Sequence, residues 1–137
     1  MMSPVAVQNA QNTNMPLKVL LADDQPKVRS ALRLLLEQES QWQIVGEAGD
    51  AASLLDATAK TRPDIILLDW ELPDFQGEND VTNLKACCKH VKIVALSSQL
   101  DARKTAFEAN VDAFVSKGDP PEVVLDILYS LDVRLMD

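Results

Sequence analysis

The chain has 137 residues, of which 47% are hydrophobic and 25% charged, and its formal net charge is −8. These values are typical of one globular domain of ordinary solubility. The acidic balance argues against a nucleic-acid-binding surface, and no apolar run approaches the roughly 18 residues that a membrane span needs.

Strand-like segments recur along the chain after an uncharged start. Residues 1–16 carry no charge and no periodic apolar pattern, so we predict a disordered tail there and a folded domain over 17–133. The predicted strands are Leu17–Ala22, Gln43–Ala48, Asp64–Leu68, Val91–Leu96 and Asp112–Ser116. The third holds four consecutive apolar residues, which is typical of a central parallel strand that helices cover on both faces.

Five helical stretches follow the five strands. The first has Pro26 near its start, and the second begins after Asp50, a favourable N-cap residue, and ends before Pro63. The third carries an apolar face, and the fourth ends at Asn110, which can adopt the left-handed cap conformation. The fifth is predicted to begin with Asp119 as its N-cap.

This alternation of five strands with five helices predicts an α/β fold with a parallel sheet and right-handed crossovers. We predict a common arrangement of this kind, a doubly wound, flavodoxin-like sheet of strand order 2-1-3-4-5 with helices on both faces. In that order a crevice opens at the carboxyl ends of strands 1 and 3, which are neighbours. No internal repeat or second domain is visible.

Polar residues follow four of the strands, where they would face this crevice. They are Asp23 and Asp24, Asp69, Ser97 and Ser98, and Ser116 and Lys117. Three crowded carboxylates repel one another, and a hard divalent cation such as Mg²⁺ would relieve that repulsion. One carboxylate could then attack a phosphoryl group while the cation and the lysine shield the charge. The acidic surplus could equally serve solubility alone.

Five segments together resemble the receiver domain of two-component response regulators over nearly all of residues 17–132. They are LLADD ending at Asp24, IILLD ending at Asp69, LPDFQG ending at Gly77, VALS ending at Ser97 and FVSK ending at Lys117. The resemblance implies that Asp69 is the phosphoacceptor. It also implies that Asp24 binds Mg²⁺ directly, that Asp23 holds the ion through water, and that the backbone carbonyl of Glu71 completes the metal shell.

The same resemblance implies a switch. Lys117 would pair with the phosphoryl group, and the Ser97 hydroxyl would move onto it. Phe114 would rotate in response and change the surface of the fourth helix, fifth strand and fifth helix. This position is often Tyr in the family, so here no hydroxyl is available at the ring's tip. The Glu71 carboxylate would either repel anionic groups near the site or be an ordinary solvated loop acid.

The family resemblance also implies partners. The phosphoryl group would come from a sensor histidine kinase or a histidine phosphotransfer protein, and the domain itself would catalyse only its own phosphorylation and slow dephosphorylation. The adjacent cysteines, Cys87 and Cys88, lack metal-site spacing, and no secretory signal is visible, so we expect a cytoplasmic protein. We expect no direct binding to nucleic acid or membrane.

The sequence allows several ways in which the domain could pass on its signal. The VGEA segment at 45–48 resembles receivers that precede a helix-turn-helix domain, so the chain could be a fragment of a transcriptional regulator. We favour a single-domain regulator that acts by protein contact, because the chain begins with Met and shows no tag. A second copy that pairs on phosphorylation could also receive the signal.

Two other functions deserve comparison with this one. Phosphatases of the haloacid dehalogenase kind place their nucleophile on the first strand with a second Asp two residues later. Here Asp69 ends the third strand and Glu71 follows, which argues against that enzyme class. A receiver-like domain that is never phosphorylated is argued against by the presence of every acceptor residue.

Overall fold

The structure is a computed structural model that describes residues 15–132. The predicted tail over 1–16 therefore lies almost entirely outside the described residues, as does residue 133 of the predicted domain. The strands are β1 (Leu17–Ala22), β2 (Trp42–Ala48), β3 (Ile65–Asp69), β4 (Lys92–Ser97) and β5 (Ala113–Ser116). The helices are α1 (Pro26–Glu37), α2 (Ala51–Thr61), α3 (Glu78–Cys87), α4 (Ala102–Glu108) and α5 (Glu122–Leu131).

All five strands form one parallel sheet in the order β2-β1-β3-β4-β5, which confirms the predicted topology. β3 lies at the centre, and each of its five residues is buried. Its last residue, Asp69, is in register with Leu96 of β4, and Leu68 is in register with Ala22 of β1. The carboxyl ends of β1, β3 and β4 therefore meet at one edge of the sheet.

The sheet is covered by helices on both faces, as its apolar strands predict. Alternate residues of each strand point to opposite faces, so β3 contributes Ile66 and Leu68 to one core and Ile65 and Leu67 to the other. The first core packs against α2, α3 and α4, and the second against α1 and α5. No helix within residues 15–132 is long and apolar enough to cross a membrane.

Most predicted helix ends are confirmed, but one N-cap is wrong. Asp50 caps α2: its carboxylate accepts from Ser53 N at 2.8 Å, and the Ser53 hydroxyl accepts from Asp50 N. Asn110 follows α4 with a left-handed φ of 74°. Asp119 does not cap α5, which begins at Glu122 with Pro121 in the cap position. Two prolines follow Asp119, and Pro121 disfavours helical backbone at Pro120, the residue before it, so the helix starts further along the chain.

Candidate functional site

The structure brings the three predicted carboxylates together at the carboxyl edge of the sheet. Asp23 directly follows β1 and Asp69 ends β3, and they are 1% and 2% exposed. Asp24 is exposed beside them. One carboxylate oxygen from each of the three lies within 4.8 Å of the other two. The sheet order explains this convergence, because β1 and β3 are adjacent and parallel.

Backbone amides fix the two buried carboxylates. Gln25 N donates to Asp23 Oδ1 at 2.9 Å, and Glu71 N donates to Asp69 Oδ1 at 2.9 Å. In both cases the donor lies two residues further along the chain, which is the pattern of an Asx turn. The turn after each strand thus orients the acid at the carboxyl end of that strand.

Lys117 supplies the cation that faces these acids. Its backbone N donates to Ser97 O at 2.8 Å, which anchors the residue just after β5. Its Nζ lies 3.0 Å from Asp23 Oδ2 and 3.2 Å from Asp69 Oδ1. Burial by itself lowers the pKa of this ammonium, but the hydrogen bond to Asp23 and the attraction of both carboxylates outweigh it, so the pKa is raised. Lys117 is therefore a permanent positive charge at the site.

The Lys117 ammonium does not fully compensate the negative charge of the Asp69 carboxylate. Burial, and then the negative charge of Asp23, raise the pKa of Asp69, while the Glu71 amide and Lys117 act in the opposite direction. A divalent cation would compensate the excess negative charge. The donors are all carboxylate oxygens, the ligands that Mg²⁺ prefers, so the residues present fit this ion. The roles of the individual ligands, including the carbonyl of Glu71, stay predictions.

Ser97 and the Glu71 side chain form a contact that the sequence did not reveal. Ser97 ends β4 and has no exposed surface. Its hydroxyl donates to Glu71 Oε2 at 2.7 Å and accepts from Gln99 N at 2.9 Å. The sequence left Glu71 open between a charge near the site and a solvated loop acid, and the structure shows the carboxylate in contact with Ser97. Such a contact depends on a side-chain rotamer, which sequence spacing does not specify.

Phe114, the predicted switch residue, lies in β5 and is 9% exposed. The Arg103 guanidinium of α4 lies 5.9 Å from the centre of its ring and 5.1 Å from the ring of Phe107. These distances are within the range of cation–π contacts. Arg103 was not predicted to contact either ring. Its spacing of four residues from Phe107 is a detectable signal, whereas the contact with Phe114 depends on how α4 packs against β5.

The model of the response regulator receiver domain family matches residues 19–128. The chain belongs to this family. It is a signalling domain of two-component systems, and the haloacid dehalogenase alternative is set aside. Phosphorylation and a kinase partner are implied by membership of the family.

Curated relatives of the chain include a bacterial response regulator and a bacterial transcriptional regulatory protein. NarP, the nitrate/nitrite response regulator protein of Escherichia coli K12, is 32% identical over 116 residues, which are 82% of this chain and 54% of NarP. YxjL, an uncharacterized transcriptional regulatory protein of Bacillus subtilis, is 30% identical over 115 residues, 82% of this chain and 52% of YxjL. The chain spans about half the length of these curated relatives.

A solved structure of a response regulator is also similar to this chain. A two-component response regulator of the LuxR family from Aurantimonas sp. SI85-9A1 superimposes with a TM-score of 0.75 at 28% sequence identity. The match covers 85% of each of the two chains. This receiver domain is therefore similar to those of LuxR-family response regulators from bacteria.

Proposed function

We propose that this receiver domain accepts one phosphoryl group on Asp69, in the presence of Mg²⁺, from a sensor histidine kinase or a histidine phosphotransfer protein. The observation that carries the proposal is a buried Asp69 carboxylate held between Asp23, Asp24 and the Lys117 ammonium. Burial leaves the negative charge of the Asp69 carboxylate poorly compensated, and the ion pair with Lys117 keeps the carboxylate oriented. A nucleophile at such a site requires both.

The transfer needs few groups from the protein. An Asp69 carboxylate oxygen attacks phosphorus, the bond from phosphorus to the donor's imidazole nitrogen breaks, and that nitrogen takes up a proton from solvent. Lys117, 3.2 Å from Asp69 Oδ1, balances the negative charge gathered there. Mg²⁺, held by the three aspartates and the carbonyl of Glu71, would shield the phosphoryl oxygens.

The signal would leave the site through Ser97 and Phe114. Phosphorylation adds roughly 1.5 to 2 negative charges beside the end of β4. The buried Ser97 hydroxyl would donate to the new oxygens and leave space near β5, into which the Phe114 ring would rotate. Phe has no hydroxyl to bond and its ring is already only 9% exposed, so packing of the ring into the vacated space would drive this movement. The surface of α4, β5 and α5 would then differ between the two states.

We infer that the output is carried by another domain or protein. YxjL, a relative about twice as long, is described as a transcriptional regulatory protein, and a DNA-binding part would lie beyond this receiver. A single-domain regulator acting by protein contact and a homodimer formed on phosphorylation remain alternatives. The two free cysteines, Cys87 and Cys88, support a cytoplasmic location for the domain.

Treatment with a small-molecule phosphodonor and Mg²⁺ tests this function. We expect intact-protein mass spectrometry to show one added phosphoryl group in the wild-type chain, none in Asp69→Asn, and none when the metal is chelated. Asp74→Asn is a matched control, because Asp74 is exposed in the following loop and has a left-handed φ that Asn tolerates. A wild-type chain that gains nothing would be a receiver fold without phosphorylation.

A further inference from the structure

The hydrogen bonds of Ser97 leave its hydroxyl fully engaged. The group has a single proton, which it donates to Glu71 Oε2 at 2.7 Å. Its oxygen accepts from Gln99 N at 2.9 Å, and the Gln99 carbonyl lies 3.4 Å away, at the limit of a hydrogen bond. Because Ser97 has no exposed surface, water cannot take the place of these partners.

The backbone of Glu71 is fixed by the turn that follows β3. Its backbone N donates to Asp69 Oδ1 at 2.9 Å, so the residue belongs to the same turn as the acceptor. No lysine or arginine within residues 15–132 forms an ion pair with its carboxylate. Glu71 is exposed, so water also solvates its carboxylate, and the Ser97 hydroxyl is the side-chain donor that contacts it within residues 15–132. A hydrogen bond to a carboxylate is roughly twice as strong as one between neutral groups.

We propose that Glu71 is a resident competitor for the Ser97 hydroxyl, which a phosphoryl group on Asp69 must displace before the switch can act. This inference rests on the phosphorylation of Asp69 proposed above. A phosphoryl oxygen and a carboxylate oxygen are both anionic acceptors, and one hydroxyl proton cannot fully serve both. The unmodified domain therefore already satisfies Ser97 with an anion of its own.

This competition has a measurable size. Glu71 is exposed, so water can solvate its carboxylate once the bond to Ser97 is broken, and losing the bond shifts an equilibrium by only roughly fivefold. The wild-type domain should bind a phosphoryl mimic that much more weakly than a variant in which Ser97 is free. Repulsion between the Glu71 charge and the mimic would weaken binding too, but that effect does not need the Ser97 hydroxyl.

A double-mutant cycle on the full chain separates these two effects. Beryllofluoride, which mimics a phosphoryl group on a carboxylate without a covalent transfer, is titrated with Mg²⁺ into wild type, Glu71→Ala, Ser97→Ala and the double variant. We expect Glu71→Ala to tighten binding about fivefold more when Ser97 is present than in the Ser97→Ala background. Asp74→Asn, which removes a charge from the same loop, should change affinity less than twofold.

The outcomes are distinguishable. An equal effect of Glu71→Ala in both backgrounds would mean that Glu71 acts only through its charge, and the competition would be wrong. Weaker binding by Glu71→Ala in the Ser97 background would also overturn it. If wild type gains no phosphoryl group in mass spectrometry and no variant binds beryllofluoride, the proposed function falls and the inference falls with it.

Discussion

At the scale of single residues, the site is built from charges that destabilise one another. Two buried carboxylates, Asp23 and Asp69, share one ammonium, Lys117. Burial is the largest cause of the raised pKa of Asp69, and the charge of Asp23 adds to it. A raised native pKa means that the folded protein holds this proton more tightly than the unfolded chain does. The stability that Asp69 contributes is therefore lost as pH rises through its native pKa.

Asp69→Asn should consequently stabilise the fold at neutral pH in the absence of Mg²⁺. Asn keeps the shape of the side chain and removes the poorly compensated charge, so we expect the Tm to rise by a few degrees. Thermal unfolding followed by circular dichroism measures this effect. Below the ordinary carboxyl pKa of 3.8 the gain should vanish, since Asp69 is then protonated in both states.

Addition of Mg²⁺ gives the control for this prediction. An ion that binds only the folded state raises the Tm, and wild type should gain more from it than Asp69→Asn because the variant lacks one ligand. A variant that unfolds at lower temperature than wild type at neutral pH would contradict the charge argument. So would a gain of equal size at acidic and neutral pH.

The sequence predicted the meeting of the site residues, and for a physical reason. Asp23, Asp69, Ser97 and Lys117 each end or follow a strand, and parallel strands place their carboxyl ends at one edge. Backbone topology alone brings such residues together. The bond between Ser97 and Glu71 could not be predicted in this way, because it depends on how two side chains rotate within that edge.

At the scale of elements, the start of α2 is stabilised by a side-chain cap that the sequence predicted. Asp50 and Ser53 satisfy each other's backbone N–H groups at the start of α2. The backbone hydrogen bond from Ser53 lowers the pKa of Asp50, and the Ser53 side chain lowers it further. A lowered pKa means that this cap stabilises the fold above the ordinary carboxyl pKa and that its contribution is lost as pH falls through the native value.

Substitution of the two predicted caps should therefore have different effects. Asp50→Ala should lower the urea midpoint and the Tm measurably at neutral pH, because it leaves helix donors without partners. Asp119→Ala is the matched control and should leave both values nearly unchanged, since Asp119 caps nothing in this structure. A larger loss from Asp119→Ala than from Asp50→Ala would mean that the start of α5 is wrongly described.

Strand and helix limits were predicted to within one or two residues for most elements. The apolar runs that define the five strands also define the sheet core, so periodicity and structure agree. The prediction failed at Asp119 because two consecutive prolines move the first helical turn further along the chain. Pro121 disfavours helical backbone at Pro120, the residue before it, so the helix cannot begin directly after Asp119.

At the scale of the whole molecule, the acidic net charge opposes binding of the domain to DNA. The chain carries 13 basic and 21 acidic side chains. Affinity for DNA without sequence preference comes from Lys and Arg that displace counterions, and an acidic surface opposes it. We expect no mobility shift of duplex DNA by this chain at micromolar concentration and physiological salt. A shift that weakens steeply with added salt would contradict this prediction.

The strand order was also predictable at this scale. Alternating strands and helices restrict the topology to parallel sheets with right-handed crossovers, and the apolar third strand belongs at the centre. What no sequence pattern within this chain specifies is the output. The relatives extend to about twice the matched length, and the proposed partner of the α4, β5 and α5 surface would be recognised through its own surface.

Locating the phosphoryl group on the chain tests the account most directly. After reaction with a small phosphodonor and Mg²⁺, borohydride reduces an aspartyl phosphate to homoserine, and peptide sequencing by mass spectrometry then identifies the modified residue. We predict homoserine at position 69 and at no other acid of the site. Homoserine at 23 or 24, or unmodified aspartate at 69 in a chain that has gained a phosphoryl group, would contradict the assignment of Asp69 as the acceptor.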